Sequence, residues 1–207
     1  MKKYFVTGIG TDVGKTIVSA IITEALHADY WKPIQTGSFN DSDTPFLKKL
    51  IKNNLTQFHK EAYHFKNPLS PHAAAYLEGK AINTEEIIIP ETDNILIIEG
   101  AGGVMVPLNN NELMIDLIKK FDAEVILVSR NYLGSINHTL LTVEAIQNKG
   151  INIKGIVFNN SGDKLTEDYI IKYTGLNCLL KLPHLNKIDK ESIENIANTI
   201  DKNIFLK

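Results

Sequence analysis

Near the start of the chain, Gly8-Ile9-Gly10-Thr11-Asp12-Val13-Gly14-Lys15-Thr16 joins an apolar run to an amphipathic stretch. Successive backbone N–H groups in such a turn can wrap a phosphate, and a helix opening there adds a favourable dipole. Lys15 then reaches the outer phosphates of a nucleotide as a point charge, and the Thr16 hydroxyl is a hard oxygen ligand for Mg²⁺. The strict phosphate loop places four residues between its two glycines. Here Gly8 and Gly14 enclose five, and Ile9 takes the strict position, so the loop is a variant. A dinucleotide fingerprint fits less well. Gly8-Ile9-Gly10 begins one, but Val13 stands where its third glycine belongs, and Lys15 has no role in it. A ligand-free glycine turn leaves the coincidence of strand, Gly-Lys-Thr and helix onset unexplained.

Three other places carry candidate chemistry. Glu99 closes the apolar run Ile95-Leu96-Ile97-Ile98 and precedes Gly100-Ala101-Gly102-Gly103, small residues that let a ligand approach the backbone. In a parallel sheet, ligands collect beyond the carboxyl ends of strands, which aims Glu99 at the phosphate loop; the alternative is a solvated strand-end glutamate. Lys32, between Trp31 and Pro33, sits in an apolar stretch. There it either meets an anionic ligand or snorkels from a strand end. Gly134 and Ser135 follow an apolar run and open a helix, offering free N–H groups to a carboxylate unless Ser135 is an ordinary cap. Asp41 and Asp43 are most simply turn and capping residues, and their spacing does not single out Asp43 as a ligand. His72 and His138 have no partner at metal-ligand spacing.

The elements that must position these groups are legible as a rhythm. Short apolar runs at 4–7, 30–34, 95–98, 125–129, 153–159 and 178–182 mostly lack polar alternation, the pattern of strands buried on both faces. Between them, 15–26, 112–121, 136–149 and 189–202 repeat apolar residues at helical spacing. The expected fold is α/β, a mostly parallel central sheet flanked by helices in a P-loop NTPase-like three-layer sandwich. Residues 40–92, with Pro45, Pro68, Pro71 and Pro90 and little strand pattern, are expected to form a mainly helical insertion in a single ATP-binding domain spanning 1–207.

Composition narrows the class. With 207 residues, 43% of them hydrophobic, the chain can bury a core without metal clips. Its single cysteine, Cys178, excludes an internal disulfide. A net charge of −2 gives no excess to attract a phosphate backbone, so nucleic acid is not an expected partner. The apolar runs are far short of the roughly 20 residues that span a membrane, and no apolar signal segment follows Met1. A cytoplasmic protein is expected.

Taken in order, several segments resemble the dethiobiotin synthetase family. These are Val6-Thr7-Gly8 through Gly14-Lys15-Thr16, Trp31-Lys32-Pro33 through Gly37-Ser38, and Ser70-Pro71-His72. Glu99-Gly100-Ala101-Gly102-Gly103, Leu133-Gly134-Ser135-Ile136-Asn137-His138 and Pro183-His184-Leu185 continue the series. The match runs from Tyr4 to about Leu185, with Asp12 where many members have glutamate and a shorter stretch before Trp31. The resemblance implies that Asp12, Val13, Gly14, Lys15, Thr16 and Ile17 hold the ATP phosphates, and that Thr16, Asp43 and Glu99 ligate Mg²⁺, with Gly100, Ala101 and Gly102 beside them. Lys32 corresponds to the family's catalytic lysine, and Thr36 replaces a serine that touches the substrate. Asn159 and Asn160, with Pro183, His184 and Leu185, are implied to line the adenine pocket. Gly134, Ser135 and Asn137 are implied to bind the substrate carboxylate across a homodimer interface.

The implied reaction turns 7,8-diaminononanoate and CO₂ into dethiobiotin at the expense of ATP: an amine takes up CO₂ as a carbamate, which is activated by the γ-phosphate and closed by the second amine. Competing readings are an amide-forming ligase of the cobyrinic acid amidase type and a nucleotide-switch ATPase of the plasmid-partition or division-site kind. The ligase normally carries a glutaminase domain for which the chain has no room. The switch typically has a further lysine where Gly10 stands. A pure nucleotide-binding module leaves Lys32 and the helix at Gly134 without a role.

Overall fold

The computed structural model describes residues 1–39 and 42–206; Asn40, Asp41 and Lys207 lie outside the described residues, so the capping expected of Asp41 is not addressed. The first half of the chain contains β1 (Lys3–Gly8), α1 (Lys15–Leu26), β2 (Asp29–Trp31), β3 (Ile34–Thr36), α2 (Asp43–Leu50), β4 (Phe58–His59), β5 (Tyr63–Phe65) and α3 (Pro71–Leu77). The second contains β6 (Leu96–Gly103), α4 (Met114–Phe121), β7 (Glu124–Arg130), α5 (Ser135–Asn148), β8 (Ile153–Asn159), α6 (Lys164–Thr174), β9 (Cys178–Leu182), α7 (Lys190–Ala197) and α8 (Asn203–Leu206).

Seven strands form one parallel sheet in the order β4-β2-β6-β1-β7-β8-β9. The unbroken apolar runs follow from burial on both sides. Along β1, Tyr4 and Val6 enter one core and Phe5 the other. Along β6, Ile97 faces the first core while Leu96 and Ile98 face the second. Helices α1, α2 and α7, with Phe205 of α8, cover the Tyr4 face, and α3 to α6 contribute residues such as Ala74, Ile118, Ile146 and Ile170 to the Phe5 face. Two helical layers around one sheet give the expected sandwich. Helix α1 is packed so closely that residues 18–25 are all buried, including Ser19 and Thr23.

Three expectations are corrected. The run 30–34 is not one strand: β2 pairs with β6 and β4, the chain leaves the main sheet at Lys32-Pro33, and β3 pairs with β5 in a separate two-stranded sheet. Pro33 has no N–H to continue a ladder, while its carbonyl accepts from Ala62 and Tyr63. Among its described residues, the stretch expected to be mainly helical holds α2, α3 and a 3-10 turn at Thr84–Glu86 as its helical elements, and adds the strands β4 and β5. The helix expected over 189–202 ends at Ala197, and a separate turn of helix at Asn203–Leu206 tucks Phe205 edge-on against Tyr4 at 5.6 Å between ring centroids. Helix α6 was not anticipated. Its apolar residues Leu165, Tyr169 and Tyr173 are exposed, so its buried face is carried by few residues, Glu167 and Ile170.

Candidate functional site at the strand tips

Because all seven strands run the same way, their carboxyl ends open on one edge, where ligands collect in a parallel sheet. A cleft of about 850 Å³ lies there. Asp12, Gly14, Lys15, Thr16 and Ile17 from the first turn line it, with Lys32 and Thr36 from beyond β2, Asp43 from α2, and Glu99, Ala101 and Gly102 from β6.

The phosphate loop is held in an open shape by backbone that few side chains tolerate. Asp12 has φ 56° and Gly14 φ 94°. A Cβ on Gly14 would lie 2.1 Å from Asn159 Nδ2, so only glycine fits there. That same Nδ2 donates to the Val13 carbonyl at 2.8 Å, and Arg130 Nη1 donates to the Asp12 carbonyl at 3.1 Å. Two of the loop's carbonyls, those of Asp12 and Val13, are thus tied back to the tips of β7 and β8.

At the centre is a closed polar cluster. Thr16 Oγ1 donates within 2.8 Å of Asp43 Oδ1 and 2.9 Å of Glu99 Oε1. Lys32 Nζ bridges the same two acids, 2.5 Å from Asp43 Oδ2 and 3.1 Å from Glu99 Oε1. Lys32 is 4% and Glu99 1% exposed. The buried phenol of Tyr30 donates to Glu99 Oε2 at 2.9 Å. Asp43 is placed by Gln35, whose Oε1 accepts from the Asp43 backbone N–H at 3.1 Å at the start of α2. Lys15 folds over the loop, its Nζ 3.3 Å from the Gly10 carbonyl.

Electrostatics separate the two lysines. Burial pushes the Lys15 ammonium below its ordinary value, with Glu99 opposing the shift and Lys32 adding to it. Burial acts on Lys32 in the same sense, but Glu99 and then Asp43 outweigh it, and its pKa lies above the ordinary lysine value. Asp43 is held below the usual carboxylate range: burial would raise it, and the Lys32 charge with hydrogen bonds from Lys32 and Thr16 prevails.

Other expected residues lie elsewhere. Gly100, within β6, packs under the Phe5 ring rather than lining the cleft. Asn159 and Asn160 border the loop from β8, with Asn160 in the left-handed region at φ 55°. Pro183 and His184 are exposed just past β9, next to them through the Ser161 N–H to Leu182 carbonyl bond, while Leu185 packs partly into the Tyr4 core. Gly134, Ser135 and Asn137 at the start of α5 are outside this cleft. Ser135 is the first helical residue and buried, and the cap position is Gly134, without a side-chain cap bond. The adjoining Leu133 is fully exposed. Sequence reasoning missed Thr11, Gln35, Pro68, Leu69, Ser70 and Val106 on the cleft wall. Ser70-Pro71 stood out only as a motif, and Thr11 lies within the glycine-rich turn; Gln35 in β3, and Pro68, Leu69 and Val106 in loops, are ordinary residue types with no local signal.

An AAA-domain family model matches residues 2–192. The ATP-dependent dethiobiotin synthetase BioD of Cytophaga hutchinsonii is 52% identical over 198 residues, covering 95% of this chain and 96% of the relative. That of Christiangramia forsetii is 48% identical, covering 98% of each. The chain belongs to the dethiobiotin synthetase family. Among solved structures, the cell division ATPase MinD of Pyrococcus furiosus aligns with a TM-score of 0.60 over 96% of this chain and 98% of its own, at 12% identity. That likeness shows a shared fold for this dethiobiotin synthetase family member and nothing of its chemistry. The family match extends past Leu185 into α7, beyond the segment whose motifs were legible.

The donor set suits Mg²⁺. A hydroxyl and two carboxylates converge as hard oxygens, and no cluster of three or more His, Cys, Asp or Glu side chains suited to a metal occurs among the described residues. Mg²⁺ is typically held by one or two carboxylates, with phosphate and water completing its octahedron.

Proposed function

We propose that this chain converts 7,8-diaminononanoate, CO₂ and ATP into dethiobiotin, ADP and phosphate, the ring-closing step of biotin synthesis. One observation carries the proposal: in a member of this family, Lys15, Lys32, Thr16, Asp43 and Glu99 meet in one cleft beside the phosphate loop.

The loop from Asp12 to Ile17 binds the ATP phosphates through its N–H groups and the opening of α1. Thr16, Asp43 and Glu99 hold Mg²⁺, which supplies charge neutralisation for the transferring phosphoryl group. Lys15 and Lys32 add fixed positive charge where negative charge develops on the phosphoryl group and the carbamate, so catalysis is mainly positioning and electrostatics. Thr36 contacts the diamine, and Asn159, Asn160 and Pro183 to Leu185 enclose adenine. Gly134, Ser135 and Asn137, which lie outside the cleft of their own chain, serve the carboxylate of the diamine bound to the partner in a homodimer. The exposed Leu133 beside them supports that placement.

The whole chain acts as one ATP-binding unit on small molecules in the cytoplasm, with neither nucleic acid nor membrane as a partner. A net charge of −2, and the finding that no helix among the described residues is long and apolar enough to cross a membrane, support this.

The test is a product assay by mass spectrometry with ATP, Mg²⁺, bicarbonate and the diamine. Dethiobiotin is expected to appear together with ADP, each requiring the diamine. ATP hydrolysis that ignores the diamine and yields no dethiobiotin overturns the proposal and favours a nucleotide switch.

A further inference from the structure

Glu99 has two carboxylate oxygens, and only one of them faces the cleft cluster. Oε1 meets Thr16 and Lys32, while Oε2 is taken by the Tyr30 hydroxyl at 2.9 Å. The arrangement follows from register. In the parallel pair of β2 and β6, Tyr30 stands opposite Ile97, and Glu99 lies two positions further on, hence on the same sheet face. Tyr30 and Ile97 both enter the core beneath α1, the helix that begins with Lys15 and Thr16. Trp31 turns to the opposite core, and Lys32 returns to the Glu99 side. Tyr30 is fully buried and does not line the cleft, so it touches neither nucleotide nor diamine. A buried tyrosine needs a partner for its hydroxyl, and this one, whose ring packs against Phe58, spends it on a carboxylate that a metal also needs.

We propose that Tyr30 is a positioning residue of the metal site. By holding Oε2, it fixes the rotation of Glu99 and commits Oε1 to the Thr16 and Asp43 side, so that metal loading meets a preset ligand. This role presupposes the Mg²⁺ site proposed above. It deepens that site by naming the second residue behind one ligand, as outer partners of metal ligands commonly act.

The test measures binding of a non-hydrolysable ATP analogue to the full chain by calorimetry, with EDTA and with Mg²⁺. In the parent protein Mg²⁺ tightens binding by a factor that reports the metal site. Tyr30→Phe is expected to bind the analogue in EDTA as the parent does, within about twofold, and to lose about tenfold of the Mg²⁺-linked tightening. A residue with a purely structural role would shift both conditions together. Since Tyr30→Phe leaves a buried carboxylate oxygen unpaired and can lower folding yield, the cycle is completed with Glu99→Gln and the double variant. If Tyr30 works through Glu99, the hydroxyl has no further effect on tightening once Glu99 is Gln. Full tightening in Tyr30→Phe, or equal effects of the hydroxyl in both backgrounds, overturns the role of Tyr30 alone. Absence of Mg²⁺-linked tightening in the parent overturns the metal site and this proposal together.

Discussion

Strand β2 carries a buried acid centre at each end, and the two are built differently. At its start, Asp29 is 1% exposed and accepts from the Gln57 N–H at 3.0 Å, Thr92 Oγ1 at 2.7 Å and Asn94 Nδ2 at 3.1 Å, with His59 Nε2 at 3.2 Å. Those donors come from two segments, 57–59 at β4 and 92–94 before β6, so the carboxylate ties the amino-terminal edge of the sheet together. Just past its other end, Lys32 pairs with Asp43 and Glu99 beside an open cleft. The first centre is filled mainly by neutral donors and has nothing to exchange. The second is held by like-charged acids around one cation, an arrangement that favours any incoming cation or developing charge. Burial alone therefore does not mark a functional acid; the chemistry of its partners does.

That contrast can be broken by mutation. The largest effect is expected at the cleft end, where Lys32→Ala should cut turnover by about 100-fold or more while ATP affinity stays within a few-fold, measured by steady-state kinetics and calorimetry. Equal turnover would remove Lys32 from the chemistry and make the two ends alike. At the other end, Asp29→Ala should cost about 2–3 kcal/mol of stability and lower the melting temperature by roughly 5–10 °C, since several buried donors lose their acceptor. Turnover per folded molecule should stay within about twofold. A thermal melt paired with an active-fraction assay separates these outcomes.

The smallest effect is in pH. Burial acts to raise the Asp29 pKa, but hydrogen bonds from Thr92, Gln57 and Asn94 prevail and hold it below the usual carboxylate range. A depressed folded value means that the stabilisation is present above the unfolded aspartate pKa of about 3.9 and is lost as pH falls through the lower folded value. The difference in unfolding free energy between the parent and Asp29→Asn should therefore be flat near neutrality and close only below about pH 4. The Lys32 pairing titrates in the opposite sense. Its raised pKa keeps the ammonium charged through neutrality, and that stabilisation is lost only as pH rises beyond the ordinary lysine range.

Much of the site was legible where chemistry and local geometry coincide. Gly14-Lys15-Thr16 announces its own turn and helix, and α1 has the bounds its apolar spacing predicts. Strands β8 and β9 likewise match their apolar runs. Lys32 and Glu99 could be nominated because a lysine in an apolar run and an acid before small residues are each locally unusual. Asp43 could not, since its partners Thr16, Lys32 and Gln35 are distant in sequence or unremarkable as types. Tyr30 stayed hidden for a related reason: a tyrosine in a strand is ordinary until its hydroxyl finds Glu99 across a register that only strand pairing sets.

By itself the sequence determined the layered α/β plan, the phosphate loop and the family, because these rest on periodicity and on motifs contiguous in the chain. Only the tertiary structure decided that the run 30–34 divides between two sheets at Pro33, that Lys32 is clamped by two acids, and that the α5 opening lies away from the cleft. Those are long-range matters. They depend on which strand lies beside which, and a pairing partner leaves almost no trace in the residues next to it.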